Sequence, residues 1–332
     1  FLAPGFLENE DQFLLASELL PITFPFLIFV TLSAILSSVL NVKGKFFLPS
    51  FLSVILNFSM ITTLLIFKSN SHLALAWAMI ISGFIQLFLL FINLSFIKIF
   101  FKITRSGINS LSNKLLIFIK RFLLSIMGSG IVQLNIFISM IFASLVGEGS
   151  ISHIYYADRI IDLPFALVAV AMSITLLPYL SKNISDEEKN SNAFNQTIIF
   201  CFIFSLPCVL GLYVLNEDIV RVLFGRGEFL NEDIIITSKV LAIYSISLPG
   251  YMLARICNQV FFSYERIDLT VIASIPTFIS NLILCMLLYK SFGVVGLAVS
   301  GAISVWLNFF IQLYFFKNHF LSFYKRIIIF NH

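Results

Sequence analysis

Nine stretches of this chain stay apolar for about twenty residues each, at 20–42, 47–67, 73–96, 120–146, 152–180, 194–215, 234–262, 270–289 and 293–316. An α-helix rises 1.5 Å per residue, so about 20 residues cross a hydrocarbon core of about 30 Å. Inside lipid every backbone N–H and C=O must be satisfied within the protein, which leaves helices as the form such stretches take. The charge supply agrees. Only 11% of residues are charged and 59% are hydrophobic, whereas a soluble domain carries about 25% charged residues. The expected fold is all-α: a polytopic membrane helical bundle with about nine transmembrane helices in this chain.

Several functions are excluded at once. A net charge of +4 is too small for a nucleic-acid partner. Cys201, Cys208, Cys257 and Cys285 all sit in apolar runs with no CxxC or Cys/His spacing, so they read as free buried thiols with no metal site. His153 and His72, without ligand partners, read as surface residues. No P-loop, HExxH, nucleophile elbow or Asp-rich prenyl-pyrophosphate motif occurs, so neither an enzyme nor a cofactor is expected.

Lysine and arginine fall unevenly on the two sides of the predicted spans. Fourteen, from Lys43 and Lys45 to Lys325 and Arg326, lie opposite the N-terminus, and four (Lys68, Arg221, Arg226, Lys290) lie on its side. Cytoplasmic loops hold the excess of Lys and Arg, so the N-terminal end is expected outside and the C-terminal end in the cytoplasm. Between spans three and four, Lys98, Lys102, Arg105 and Lys114 alternate with apolar residues, predicting an amphipathic surface segment over 97–119. The loop at 216–233 reads as a solvated turn.

A shift of 224 residues brings Ile22 onto Ile246, Pro25 onto Pro249, Ser50 onto Ser274, Asn57 onto Asn281 and Ala78 onto Ala302. Spans one to three then repeat as seven to nine in the same orientation, as in transporters built from two parallel halves. The partners of spans four to six would lie upstream, in roughly 100 to 110 residues absent from a chain that opens at Phe1 without an initiator Met. Residues 1–96 are thus expected to be the remainder of an N-terminal lobe, 97–119 a linker, 120–316 a second lobe of six spans, and 317–332 a cytoplasmic tail. Asn57 and Asn281 are expected to make interhelical hydrogen bonds.

Charges inside spans are the candidate site. Asp158, Arg159 and Asp162 lie about two turns within the outer end of span five, where each charge costs about 3 kcal/mol near the bilayer centre. Asp158 and Asp162 share a face, and Arg159 and Asp162 are spaced to pair. Either the pair neutralises itself structurally, or Arg159 is an anion-binding fork flanked by carboxylates. Pro164 is expected to break the helix beside these charges. Arg255, in the cytoplasmic half of span seven, either snorkels or joins the site.

At these residues the chain resembles the MurJ (MviN-type) lipid II flippases of the multidrug/oligosaccharidyl-lipid/polysaccharide exporter superfamily. The motifs are APGF at 3–6, ITFPFLIF at 22–29, VLNVKGKFFLPSF at 39–51, LALAWA at 73–78, IFAS at 141–144, YYADRIIDLP at 155–164, LLPYLSK at 176–182 and LFGRGEF at 223–229. The resemblance implies two pseudo-symmetric lobes of a MATE-like transporter around a cationic cavity. It also implies alternating access that carries lipid II, an undecaprenyl-pyrophosphate-linked muropeptide, across the bacterial inner membrane. Asp158 and Arg159 fall on the family's cavity Asp-Arg pair, and Asp162 falls where relatives carry Glu or Gln. The substrate-binding set expected is therefore Arg159, Asp158, Asp162 and Arg255, with lipid II and membrane lipids as partners. In some relatives acidic residues help bind sodium; Ser139 and Cys285 stand at the aligned positions. A drug/cation antiporter or another lipid-linked oligosaccharide flippase of the superfamily is the alternative, and a polyprenyl-phosphate enzyme is disfavoured because no catalytic cluster is present.

Overall fold

The computed structural model describes residues 4–5, 10–67, 71–96, 119, 130, 133–182, 186–264 and 266–330. Nearly all of the expected amphipathic segment 97–119 and the first part of span four fall outside them. Regular structure among the described residues is helical throughout. The chain divides into two compact units, one of Phe6–Asn113 and one of Phe1–Gly5 with Lys114–His332.

In the smaller unit, α1 (Glu10–Thr23) and α2 (Phe26–Val42) are a helix pair bent by 41°, together long and apolar enough to cross a membrane. The bend falls at Pro25, which has no N–H to give to the preceding turn. Span one thus starts about ten residues earlier than its apolar run suggested, because Glu10 and Asp11 favour a helix N-terminus. α3 (Phe47–Ile66) and α4 (Ser71–Phe96) complete the unit. α4 packs against each of the other three. Its Leu90 and Leu94 close on Leu36 and Leu40 of α2, and Ser59 of α3 donates to the Ala78 carbonyl at 3.1 Å.

The larger unit holds α5 (Gln133–Val146), α6 (Ser150–Phe165), α7 (Ala171–Lys182), α8 (Glu187–Val214), α9 (Asn216–Phe224), α10 (Asn231–Ser263) and α11 (Ile267–Phe330). Two-thirds of the central stretch of α10 is buried, 67% against 28% or less for the other candidate spans of this unit, so α10 is the post around which the unit packs. It meets α6, α7, α8, α9 and α11. Lipid supplies no hydrophobic drive between helices, and close packing of small residues does the work instead. Ser245, Ser247 and Gly250 lie on the buried side of α10. The Trp306 indole donates to the Ile246 carbonyl at 3.1 Å.

Three local differences from expectation have physical causes. Pro164 does not break its helix: α6 runs through a π-turn at Ala166–Val170 into α7. Such a turn shifts the hydrogen-bond ladder by one residue and re-satisfies groups that proline leaves free. The loop expected at 216–233 begins with a real helix, α9. Glu217 and Asp218 sit in its first turn, Arg221 bonds Glu217 at 2.7 Å, and Ile219, Val220 and Phe224 reach the core. Finally, α11 is two spans folded back at Gly293. Cys285 and Ser300, on opposite sides of the fold, are 3.0 Å apart. A Cβ on Gly296 would lie 2.6 Å from the Leu288 carbonyl oxygen. Shifted back by 224 residues, Gly293 falls in the interval between α3 and α4.

Gly293 has φ 57° and ψ −138°, a conformation side chains resist. Gly293→Ala should lower stability by about 1–3 kcal/mol. Gly211→Ala, in open space within α8, should be neutral or stabilise by up to about 1 kcal/mol. Thermal unfolding in detergent distinguishes the two.

Candidate functional site

α6 starts at Gly149, whose left-handed φ of 75° turns the chain into the helix. One face of α6 carries Ala157, Ile160 and Ile161 into the core beside Leu241, Leu248 and Met252 of α10. Burying that face leaves Tyr155, Asp158, Arg159 and Asp162 exposed. Arg159 Nη1 donates to Asp162 Oδ2 at 3.2 Å, and each side chain is 57% exposed. The guanidinium carbon lies 4.5 Å from the centre of the Tyr155 ring. The expected Arg159–Asp162 pair therefore exists, with its cation stacked on an aromatic face.

Asp158 has a different setting. With Tyr155 it lines a cavity of about 220 Å³ walled by α5, α6, α10 and both halves of α11. Asn135, Ser139, Ser274, Thr277, Asn281, Ser304 and Asn308 provide hydroxyls and amides around it, with Tyr244 and Tyr251. None of the lining residues is Lys or Arg, and Arg159, Asp162 and Arg255 are not among them. Among the described residues, the buried Ser304 hydroxyl has no hydrogen-bond partner. A neutral polar wall with one carboxylate suits water or a polar or cationic group. A phosphate would find no counter-charge there. Arg159 lies outside this lining, on an exposed flank of α6.

Asn281 donates to Asn135 Oδ1 at 3.2 Å and lies 3.5 Å from the Ser139 hydroxyl, tying α11 to α5. Asn57, its counterpart in the repeat, is exposed instead. The Cys285 thiol contacts Ser300 and Asn281. At the positions aligned with sodium ligands in some relatives, Ser139 and Cys285 thus offer a hydroxyl and a thiol already engaged with neighbours.

Arg255 stands apart from the α6 charges. It is half-buried on α10, and its Nε donates to Ser173 Oγ of α7 at 3.3 Å. His153, expected at the surface, is buried instead. Its Nδ1 is 3.0 Å from Thr237 Oγ1 and its Nε2 is 3.6 Å from Asp233. Burial of one α6 face against α10 carries it inward. The sequence reading also missed Tyr155 as the platform under Arg159, Ser173 as the partner of Arg255, and Asn135 and Asn308 in the cavity wall. A paired Tyr155-Tyr156 just before the charges and isolated amides within apolar runs were the available signals.

The family model described as Lipid II flippase MurJ matches residues 1–332. A probable lipid II flippase MurJ of Buchnera aphidicola subsp. Schizaphis graminum is 36% identical over 316 residues, covering 93% of this chain and 60% of that protein. Its counterpart in Aquifex aeolicus is 33% identical over 306 residues, covering 91% and 60%. Among solved structures, lipid II flippase MurJ in an inward closed conformation superposes with a TM-score of 0.81 at 26% identity, over 93% of this chain and 64% of that one. An inward-facing multidrug resistance transporter of the MATE family shares the fold, with a TM-score of 0.74 at 15% identity over 97% of this chain and 76% of that one. The chain spans about 60% of the length of the curated relatives it matches.

The Asn281 clasp gives a direct test of packing. Asn281→Leu should destabilise the purified protein by about 0.6–2 kcal/mol, whereas Asn57→Leu should leave its unfolding temperature unchanged.

Proposed function

The chain belongs to the MurJ family of lipid II flippases, and we propose that it takes part in moving the lipid-linked peptidoglycan precursor from the inner to the outer leaflet of the bacterial cytoplasmic membrane by alternating access. It is a membrane protein of a transporter family, and the proposal assigns it no catalytic step. The observation that carries the reading is the exposed Arg159–Asp162 pair on one flank of α6.

A guanidinium is always charged and presents parallel N–H donors that match two phosphate oxygens. In the resting pair, Asp162 occupies part of that fork. A pyrophosphate that takes the fork replaces the carboxylate as the guanidinium's partner. Tyr155 beneath the guanidinium holds its plane outward while partners exchange. The paired state also keeps the charge neutralised when no substrate is bound. The lipid tail stays in the bilayer, and rocking of the two lobes re-exposes the head group outside. The Lys/Arg asymmetry supports an outward N-terminal side and a cytoplasmic C-terminal side.

The cavity around Asp158 supports a second reading, cation or drug export, since a carboxylate with neutral donors suits a cationic substrate. Competition separates the two: excess undecaprenyl pyrophosphate should block lipid II binding, and cationic drugs should not.

In flippase-depleted cells carrying the complete gene, Arg159→Ala should abolish growth at near-normal membrane levels, and Arg159→Lys should rescue poorly. If Arg159→Ala/Asp162→Ala instead restored growth lost in Arg159→Ala, the pair would be structural and the reading wrong. For orientation, Asn231→Cys should react with an impermeant reagent added outside intact cells, and Ser181→Cys only after permeabilisation.

A further inference from the structure

We infer that the turn after α9, together with the first residues of α6 and α10, forms a binding site for a zwitterionic phospholipid: Arg226 takes the phosphate, and Glu228 with Asp233 takes the ammonium. The inference does not depend on the passage of a lipid-linked precursor. It concerns a cavity that none of Asp158, Arg159, Asp162 and Arg255 lines.

The segment LFGRGEF at 223–229 belongs to the motifs that carry the family resemblance, yet nothing in the α6 site uses its charges. Two glycines fix its backbone. A Cβ on Gly225 would lie 2.5 Å from the Arg221 carbonyl oxygen, and Gly227 has a φ of 65°, which glycine alone adopts freely. On either side of Gly227, Arg226 and Glu228 line a cavity of about 470 Å³. Small-molecule sites occupy about 300–1,000 Å³. Tyr156, Phe224 and Phe229 line it too, with the Tyr156 ring centre 4.6 Å from that of Phe224 and 5.5 Å from that of Phe229.

The polar groups of this cavity are largely uncommitted. Arg159, Arg221 and Arg266 each have a carboxylate oxygen within 3.2 Å. Among the described residues Arg226 has none, although Glu228 and Asp233 line the same cavity, and the Glu228 carboxylate has no partner either. Asp233 accepts from the Leu230 N–H at 2.8 Å through one oxygen, and its other oxygen is 3.6 Å from His153 Nε2, beyond hydrogen-bond reach. His153 is buried and Thr237 engages its Nδ1, so Nε2 is left as a polar atom awaiting a partner. A Cβ on Gly149 would stand 3.1 Å from that nitrogen, and the glycine keeps the approach open. A bare anion in this cavity would leave Glu228 unpaired, and a bare cation would leave Arg226 unpaired. A ligand carrying both signs satisfies both. The guanidinium fork matches phosphate oxygens, and aromatic faces beside the carboxylates favour an ammonium.

The surroundings give this ligand acyl chains. Val222, Leu223 and Leu230 are exposed beside the charged turn. α9, which joins the spans α8 and α10, thus shows apolar side chains next to its charges, as helices at the boundary of head groups and acyl chains do. A phosphate and a primary amine on a lipid together describe phosphatidylethanolamine.

Native mass spectrometry of the full chain in detergent tests this, with phosphatidylethanolamine and phosphatidylglycerol offered at equal concentration. The wild-type protein should retain the amine-bearing lipid about fivefold over the other. Arg226→Ala should lower both by about the same factor. Glu228→Gln should bring phosphatidylethanolamine down to the level of phosphatidylglycerol and leave the latter unchanged. Arg221→Gln, at an arginine already paired with Glu217, should change neither. All three positions are exposed, so the variants should fold, and an unchanged unfolding temperature checks that they do. Equal retention of the two lipids by the wild-type protein, or unchanged phosphatidylethanolamine in both the Arg226 and Glu228 variants, would overturn the inference. Displacement by excess soluble phosphoethanolamine would overturn it as well, since the occupant would then need no tail. So would loss of lipid II binding instead of phosphatidylethanolamine binding. Each of these results leaves the reading of Arg159 to be decided by its own variants.

Discussion

A charge inside a hydrocarbon span must be met by an opposite charge, by water or by a ligand, because left alone it costs about 3 kcal/mol or more. The spans of this protein contain few charges, and three of the sites in the larger unit are each met in a different way. Arg159 has Asp162 and the Tyr155 ring. Asp158 has a pocket of hydroxyls and amides. Arg255 has one serine. The three settings differ in their neighbours: a carboxylate and an aromatic ring, a wall of neutral hydroxyls and amides, and a serine hydroxyl.

The scaffold that allows this sorting is α10. Its buried serines and Gly250 let neighbouring helices approach closely, and its own backbone stays hydrogen-bonded around Pro249. Packing one face of α6 against it decides which of the α6 residues remain exposed. His153, tied to Thr237 and Asp233 near the start of α10, fixes the same contact at one end. The position of Arg159 is therefore set by apolar residues on the opposite side of its own helix.

Much of this was legible in the sequence, and the reasons are physical. Apolar run length located the spans because helix rise and bilayer thickness are constants. The i,i+3 spacing of Arg159 and Asp162 foretold their pair. What the spacing missed was direction across neighbours: Asp158 opens into a cavity whose other walls come from helices up to 150 residues away. His153 looked like a surface residue because nothing local marks a face that turns inward only on packing. Pro164 suggested a break, but a π-turn kept the helix continuous. Asn57 and Asn281 looked equivalent under the repeat. Asn281 finds Asn135 and Ser139 on α5, whereas Asn57 is exposed.

The central claim is that the Arg159 flank of α6 faces the path of a lipid-linked pyrophosphate. Tyr155 stacks on that guanidinium and is 49% exposed, so a photo-crosslinking amino acid placed there samples whatever Arg159 meets. Irradiated in living cells accumulating labelled lipid II, this position should capture the precursor, and a crosslinker at the exposed Leu210 of α8 should not. Capture at Tyr155 should fall when Arg159 is changed to Ala. Equal labelling at both positions, or capture of bulk phospholipid alone at Tyr155, would contradict the account.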